Sequence, residues 1–206
     1  MSIQIIRLED MISAAPSIDS VKDILNTFES IPHPITGKVN DVEYFLHQKA
    51  IEFERMALST TYLIFSSLNE TQVLVGYFAL ANKPLTMSKK NYNNLSSGQQ
   101  RSLCQNGSKT ESGGYRVNSY LIGQVGKNYS QEARKLKAIN GTQVLTLAYN
   151  TVLKAKELIN ARYVWIECDN TPKLRQFYED FGFKAIENYE TNSGLVVMVM
   201  KLKGDK

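Results

Sequence analysis

Residues 163–168 (Tyr-Val-Trp-Ile-Glu-Cys) are apolar at nearly every position. A strand with one solvated face alternates apolar and polar residues. A run without that alternation suits a strand covered on both faces, as central strands of α/β proteins are. Directly after it, Thr171 is placed to cap a helix, Pro172 takes the first helical position, and Gly182 stands just past the end. A doubly covered strand leading into a framed helix restricts the chain to layered α/β architectures.

The rest of the chain agrees with that restriction. Residues 3–8 read as a strand. Val21, Ile24, Leu25 and Phe28 recur at helical spacing over 19–29, with Asp19 or Ser20 placed to cap. Residues 31–34 (Ile-Pro-His-Pro) break the chain. Val42, Phe45, Leu46, Ala50, Phe53 and Ala57 mark a second amphipathic helix over 41–58. Two strands follow at 61–66 and 73–80, with Asn69 and Glu70 suited to the turn between them.

Residues 82–116 change character. Asn, Ser, Gly, Lys and Gln dominate, and six cations (Lys83, Lys89, Lys90, Arg101, Lys109, Arg116) face one acid, Glu111. This reads as a polar, basic excursion with one short helix over 96–104 and a mobile stretch over 107–114. A strand resumes at 117–125, a polar basic loop occupies 126–140, and Gly141 opens a long helix. Strands at 183–186 and 195–202 close the order. The class is α/β, an α+β arrangement on a mixed sheet.

With 206 residues, 43% hydrophobic and 21% charged, the chain has ordinary globular proportions and enough length for one domain with a substantial core or for two very small ones. The longest apolar runs are too short to cross a bilayer, and no basic-then-apolar leader opens the sequence, so no membrane partner and a cytoplasmic location are expected. The two cysteines and two histidines form no metal-ligand spacing, so no metal is expected. A net charge of +4 is compatible with an anionic cofactor or with RNA, and decides neither.

Two constellations bear on chemistry. At 121–145 a strand ends, a basic loop follows, and a helix begins at a glycine. Free amides at a helix start and the positive end of its dipole bind phosphate. Gly141 permits close backbone approach, and Lys127, Arg134, Lys135 and Lys137 add charge. On these residues alone, a pyrophosphate site and a solvated loop with an ordinary glycine cap stand level. In the second, Leu174, Phe177 and Phe181 share a face of the 172–181 helix with Tyr178 beside them. Taken alone, Tyr178 reads as an amphipathic core tyrosine.

Together these segments resemble the core of GNAT N-acetyltransferases. The pieces that carry the resemblance are residues 123–128 (Gly-Gln-Val-Gly-Lys-Asn), 139–142 (Ile-Asn-Gly-Thr), 164–168 (Val-Trp-Ile-Glu-Cys) and, most specific, 177–183 (Phe-Tyr-Glu-Asp-Phe-Gly-Phe). The resemblance implies one GNAT-like domain over 1–206, about seven strands with splayed central strands, four main helices, and acetyl-CoA as co-substrate. It implies that the backbone at Val125, Gly126 and Lys127 holds the pantetheine arm. Amides around Asn140, Gly141, Thr142 and Gln143, with Lys137, hold the pyrophosphate, and Asn170 adds a contact before the last helix. Tyr178 matches the general acid that protonates the departing thiolate after direct attack by an amine. Glu167 and Asp169 are candidates for the base. The family's loop carries two or three glycines where this chain retains Gly141 alone.

The acceptor is an amine on a small molecule or peptide. Residues 60–65 and 75–80 are also similar to GNAT toxins that acetylate aminoacyl-tRNA, and the basic 82–116 stretch offers charge for an RNA backbone. Loss of the loop glycines leaves a different class open: a degenerate domain that binds acyl-CoA or a partner without turnover. The alternating strand at 195–200 either pairs across a homodimer or packs within one subunit.

Overall fold

A computed structural model describes residues 2–32, 37, 39–68, 71–105, 107–191 and 193–202. The expected break at His33 and Pro34 and the turn at Asn69 and Glu70 lie outside the described residues. In chain order the elements are β1 (Ile3–Arg7), α1 (Leu8–Ala14), α2 (Ile18–Leu25), α3 (Asp41–Tyr44), a π turn (Phe45–Lys49), α4 (Ala50–Arg55), β2 (Thr60–Leu68) and β3 (Thr71–Ala81). Then come β4 (Leu85–Met87), α5 (Lys89–Asn94), α6 (Ser97–Cys104), β5 (Gly107–Lys109), β6 (Tyr115–Val117) and β7 (Ser119–Lys127). The chain ends with α7 (Gln131–Leu136), α8 (Gly141–Leu158), β8 (Tyr163–Cys168), α9 (Pro172–Phe181), β9 (Lys184–Ala185) and β10 (Val196–Lys201). Hydrogen bonding orders one seven-stranded mixed sheet as β1-β2-β3-β7-β8-β10-β9 and a three-stranded sheet as β4-β6-β5. The chain divides into two compact units, Met1–Ala81 with Gly123–Asn150, and Asn82–Ile122 with Thr151–Lys206.

In the first unit β1, β2 and β3 form an antiparallel meander. Its core gathers Leu8, Val21, Leu25, Phe28, Leu46, Leu63 and Tyr77, all essentially without solvent contact. The sequence places Leu8 at the end of the first strand, but it opens α1, because the backbone turns helical after Arg7 and carries Leu8 into this core. Ser17, not Asp19 or Ser20, caps α2: its Oγ accepts from the Ser20 amide at 3.2 Å. The helix expected over 41–58 contains the π turn and stops at Arg55, followed by Ala57 in a left-handed conformation at φ 53°. One extra residue in the turn keeps Phe45, Leu46 and Ala50 all buried.

Where β7 ends, Asn128 is buried and uses every hydrogen-bonding position its side chain has. Its Oδ1 accepts from the amides of Glu29 (2.9 Å) and Ser130 (2.8 Å). Its Nδ2 donates to the carbonyls of Thr27 (3.1 Å) and Leu74 (2.6 Å). The chain after β7 is thereby tied to β3 and to the exit of α2. The expected loop over 126–140 is partly helical, because Ser130 caps α7 and Ala133 and Leu136 are buried.

In the second unit β8 pairs with β7 in parallel at Ser119–Tyr163, Tyr120–Val164 and Leu121–Trp165, and with β10 antiparallel along its whole length. Both its faces are covered, as its composition requires: Val164 and Ile166 are buried on one, Tyr163 and Trp165 on the other. The second face is covered by the 82–116 segment, which supplies Leu85, Met87, Leu95, Leu103 and Cys104 to a shared cluster. Trp165 Nε1 donates to the Lys83 carbonyl at 2.9 Å, and the Tyr163 hydroxyl donates to the Ser102 carbonyl. The stretch 107–114, expected to be mobile, is instead ordered by backbone pairing: β5 pairs with β6, and the Thr110 and Gly114 backbones close the turn between them. β10 lies between β8 and β9, so it packs within one subunit.

Replacing Asn128 by aspartate keeps its shape and removes both donors. Two buried carbonyls lose their partners, which by typical values destabilises the fold by about 3 kcal/mol. Urea unfolding of the Asn128→Asp variant measures that loss.

Candidate active site

The residues expected to hold a cofactor fall in the first unit, apart from Asn170. Gly126 is buried in β7, and a Cβ there would stand 2.8 Å from both the Phe28 and Tyr77 rings. Its carbonyl oxygen lies 2.9 Å from where a Cβ on Gly76 would be. These two glycines therefore answer to core packing, with the β3 and β7 backbones and two aromatic rings in close approach. Val125 and Lys127 flank Gly126 and are half-buried, and the Lys127 ammonium sits 5.1 Å from the Tyr129 ring, which the Arg134 guanidinium approaches at 5.7 Å.

Beyond α7, Lys137 takes a left-handed conformation at φ 48°, and its amide donates to the Ala133 carbonyl at 3.3 Å. That turn leads through buried Ile139 to the start of α8. There Asn140 and Gln143 form a reciprocal cap. The Gln143 amide donates to Asn140 Oδ1 at 2.9 Å, and the Asn140 amide donates to Gln143 Oε1 at 2.8 Å. Of the four expected phosphate donors, two are thus taken up by each other's side chains. The amides of Gly141 and Thr142 make no hydrogen bond among the described residues, so these two present the positive end of the helix.

Tyr178 lies in the second unit, on α9. Its ring meets Phe177 and Phe183 edge-on at 5.0 and 5.9 Å, it is 9% exposed, and its hydroxyl has no hydrogen-bond partner among the described residues. Burial pushes the phenol well above its ordinary value of 10, and the neighbouring Cys168 thiol adds to the shift. Tyr178 is therefore a neutral phenol with its proton uncommitted. Gly182 ends α9 at φ 116° and turns the chain back so that Phe183 reaches Tyr178. Thr171 stands at the N-cap but its hydroxyl makes no capping bond. Asn170 is exposed, as are Glu167 and Asp169.

Cys168 is buried with its sulfur 3.8 Å from that of Met198, and burial raises its thiol to about 11. Cys104 is raised by burial as well. Neither supplies a thiolate nucleophile near neutrality. His47 is engaged with the Phe28 carbonyl at 3.0 Å, and among the described residues no group of three His, Cys, Asp or Glu side chains converges as a metal site. No helix among the described residues is long and apolar enough to cross a membrane.

No protein-family model matches the chain, and no curated protein matches it. Solved structures do. A mutant of KacT aligns over 98% of this chain and 95% of its own at TM-score 0.61 and 12% identity. AtaT complexed with acetyl-methionyl-tRNAfMet aligns over 97% and 95% at TM-score 0.60 and 15% identity. A tyrosine-to-phenylalanine mutant of the AtaT toxin, bound to the C-terminus of the antitoxin AtaR and acetyl-CoA, aligns over 98% and 94% at TM-score 0.58 and 13% identity.

The fold is that of AtaT and KacT. The expected GNAT-like mixed sheet of seven strands is present, and the AtaT-like alignment spans nearly the whole of both chains. Tyr178 and the Gly141 helix start are singled out by the resemblance to the GNAT family and not by residue type alone. That Asn140 and Gln143 cap one another went unread in the sequence, although Asn-x-x-Gln before an apolar run is the signature of such a box.

Tyr178 makes stability fall at high pH. Below pH 10 its phenol is neutral whether the chain is folded or not. Above that, the unfolded chain releases the proton and the buried side chain keeps it, so stability is lost as pH climbs from 10 toward the raised folded value. The wild-type minus Tyr178→Phe difference in unfolding free energy should fall between pH 9.5 and 11.5 by at most about 1.4 kcal/mol per pH unit. A flat difference in paired urea titrations contradicts the burial.

Proposed function

We propose that this chain transfers an acetyl group from acetyl-CoA to an amine by direct attack, its two units acting as one acetyltransferase domain, with Tyr178 as the general acid. The observation that carries this reading is Tyr178 itself: a buried, neutral phenol with an uncommitted hydroxyl proton, on the helix whose sequence most resembles GNAT enzymes.

The remaining residues take supporting roles in the proposal. The free amides of Gly141 and Thr142 receive the pyrophosphate, on a helix start framed by Asn140 and Gln143. Lys127 and Lys137 add positive charge. The backbone at Val125, Gly126 and Lys127 takes the pantetheine arm, and Asn170 contacts it from before α9. Acetyl-CoA supplies an acyl group activated as a thioester. The amine nitrogen forms a bond to the carbonyl carbon, the carbon–sulfur bond breaks with its electron pair going to sulfur, and Tyr178 delivers its proton there. The same desolvation that raises a buried phenol raises a thiolate beside it, so the proton has a matched acceptor. The amine proton passes to water or to an exposed carboxylate, Glu167 or Asp169.

A second reading concerns the acceptor alone. AtaT has been solved with acetyl-methionyl-tRNAfMet, and the 82–116 segment of this chain presents exposed cations at Lys89, Arg101, Lys109 and Arg116. These observations favour the amino group of an aminoacyl-tRNA over that of a small molecule or peptide.

The test is thiol release from acetyl-CoA with methionyl-tRNA, peptide and small amines as acceptors. Tyr178→Phe is expected to lower kcat by about a hundredfold or more while calorimetric acetyl-CoA binding is unchanged. Turnover that survives in this variant removes Tyr178 from the role. Binding without thiol release on any acceptor supports the degenerate alternative instead.

A further inference from the structure

The turn between β9 and β10 is held from two sides within the second unit. On one side, α9 reaches it through Arg175, 3.8 Å from Glu187. On the other, the 82–116 segment grips it. Asn91, buried at 5% exposure, donates from Nδ2 to the Glu190 carbonyl at 2.9 Å and accepts the Glu190 amide on Oδ1 at 3.0 Å. One side chain thus pairs with both backbone groups of one residue, as a neighbouring strand would. Asn94 donates to the Asn188 carbonyl at 3.3 Å, the Tyr189 hydroxyl donates to the Thr86 carbonyl at 3.0 Å, and the Lys90 ammonium meets the Glu190 carboxylate at 2.6 Å.

The location of this grip gives it meaning. Val196 pairs with Cys168 and Val197 with Glu167, so the turn emerges at the C-terminal end of β8. Arg175, which reaches Glu187 of the turn at 3.8 Å, stands three residues before Tyr178 on α9. The turn therefore stands at the C-terminal end of β8 and against the helix that carries Tyr178, and binding sites of α/β sheets form at the C-terminal ends of strands. A link of this length between β9 and β10 would on its own be free to sample many conformations, and ordering it needs contacts that outweigh that entropy. The exposed ion pair is worth little. The buried Asn91 pair is the contact that fixes backbone position.

We propose that Asn91 is a positioning residue: its clasp on Glu190 makes the 82–116 segment and the 187–191 turn one fixed wall against α9, the helix of Tyr178, and that wall sets how the acceptor amine is presented. The proposal rests on the acetyltransferase reading for its acceptor and on the clasp for its geometry, and each has its own readout.

The full-length chain is compared with Asn91→Ala and with Asn91→Asp, which keeps the acceptor for the Glu190 amide but cannot donate to the Glu190 carbonyl. Amide hydrogen exchange reads the clasp directly. The Glu190 amide should exchange on the order of tenfold faster in Asn91→Ala, less so in Asn91→Asp, with the Ile166 amide of β8 unchanged. Steady-state thiol release with methionyl-tRNA or an amine-terminated peptide reads the role. The KM for the acceptor should rise about fivefold or more, with the KM for acetyl-CoA unmoved, since only acceptor presentation is lost. Equal Glu190 exchange in wild type and Asn91→Ala overturns the clasp. A freed Glu190 amide with an unmoved acceptor KM overturns the positioning role. Absence of turnover in the wild type as well counts against the acetyltransferase reading and not against the clasp, which the exchange result still decides.

Discussion

Asn128 sits at the point where the chain leaves β7, and four hydrogen bonds converge on its side chain from three segments. An amide has two donors and two accepting lone pairs, and all are used. A buried polar group fully satisfied in this way is directional in a manner that apolar packing is not. It fixes the path of the backbone into Ser130, whose hydroxyl then caps α7, and α7 ends in the left-handed turn at Lys137 that delivers Asn140 to the start of α8. The helix start with two open amides is the last link of a chain of local constraints that begins at one asparagine.

The second unit is organised by a different constraint. β8 is apolar on both faces, so each face must be covered. Tyr163 and Trp165 send polar atoms into the cover on their side, to the carbonyls of Ser102 and Lys83. This registers the 82–116 segment against the strand. A polar, lysine-rich stretch is thereby an integral layer: its apolar residues join the cluster around Tyr163 and Trp165, and its polar residues include those that grip the Glu190 turn.

Much of this was legible in the sequence, for reasons that differ by segment. The element order, the doubly covered β8 and the framed α9 follow from composition and from Pro172 and Gly182, which act locally. Tyr178 was legible from a motif, but its raised and uncommitted phenol depends on Phe177, Phe183 and Cys168 meeting around it. The small strands of 82–116 carry no periodicity long enough to read, since β4, β5 and β6 have three residues each and are held by backbone pairing. The Asn91 clasp joins residues 99 apart in sequence, and nothing local signals it. Gly126 was singled out for a cofactor, yet the rings it accommodates, Phe28 and Tyr77, come from distant segments.

The reciprocal cap of Asn140 and Gln143 has a thermodynamic consequence. A helix end satisfied only by its guest would fray when empty, and each binding event would have to re-form it. Here the cap is made from the protein's own side chains, so the first turn of α8 keeps its shape whether or not an anion is present. In the acetyl-CoA reading proposed above, an anion at the Gly141 and Thr142 amides would meet a helix end already closed, and its capture would be a docking event and not a folding one.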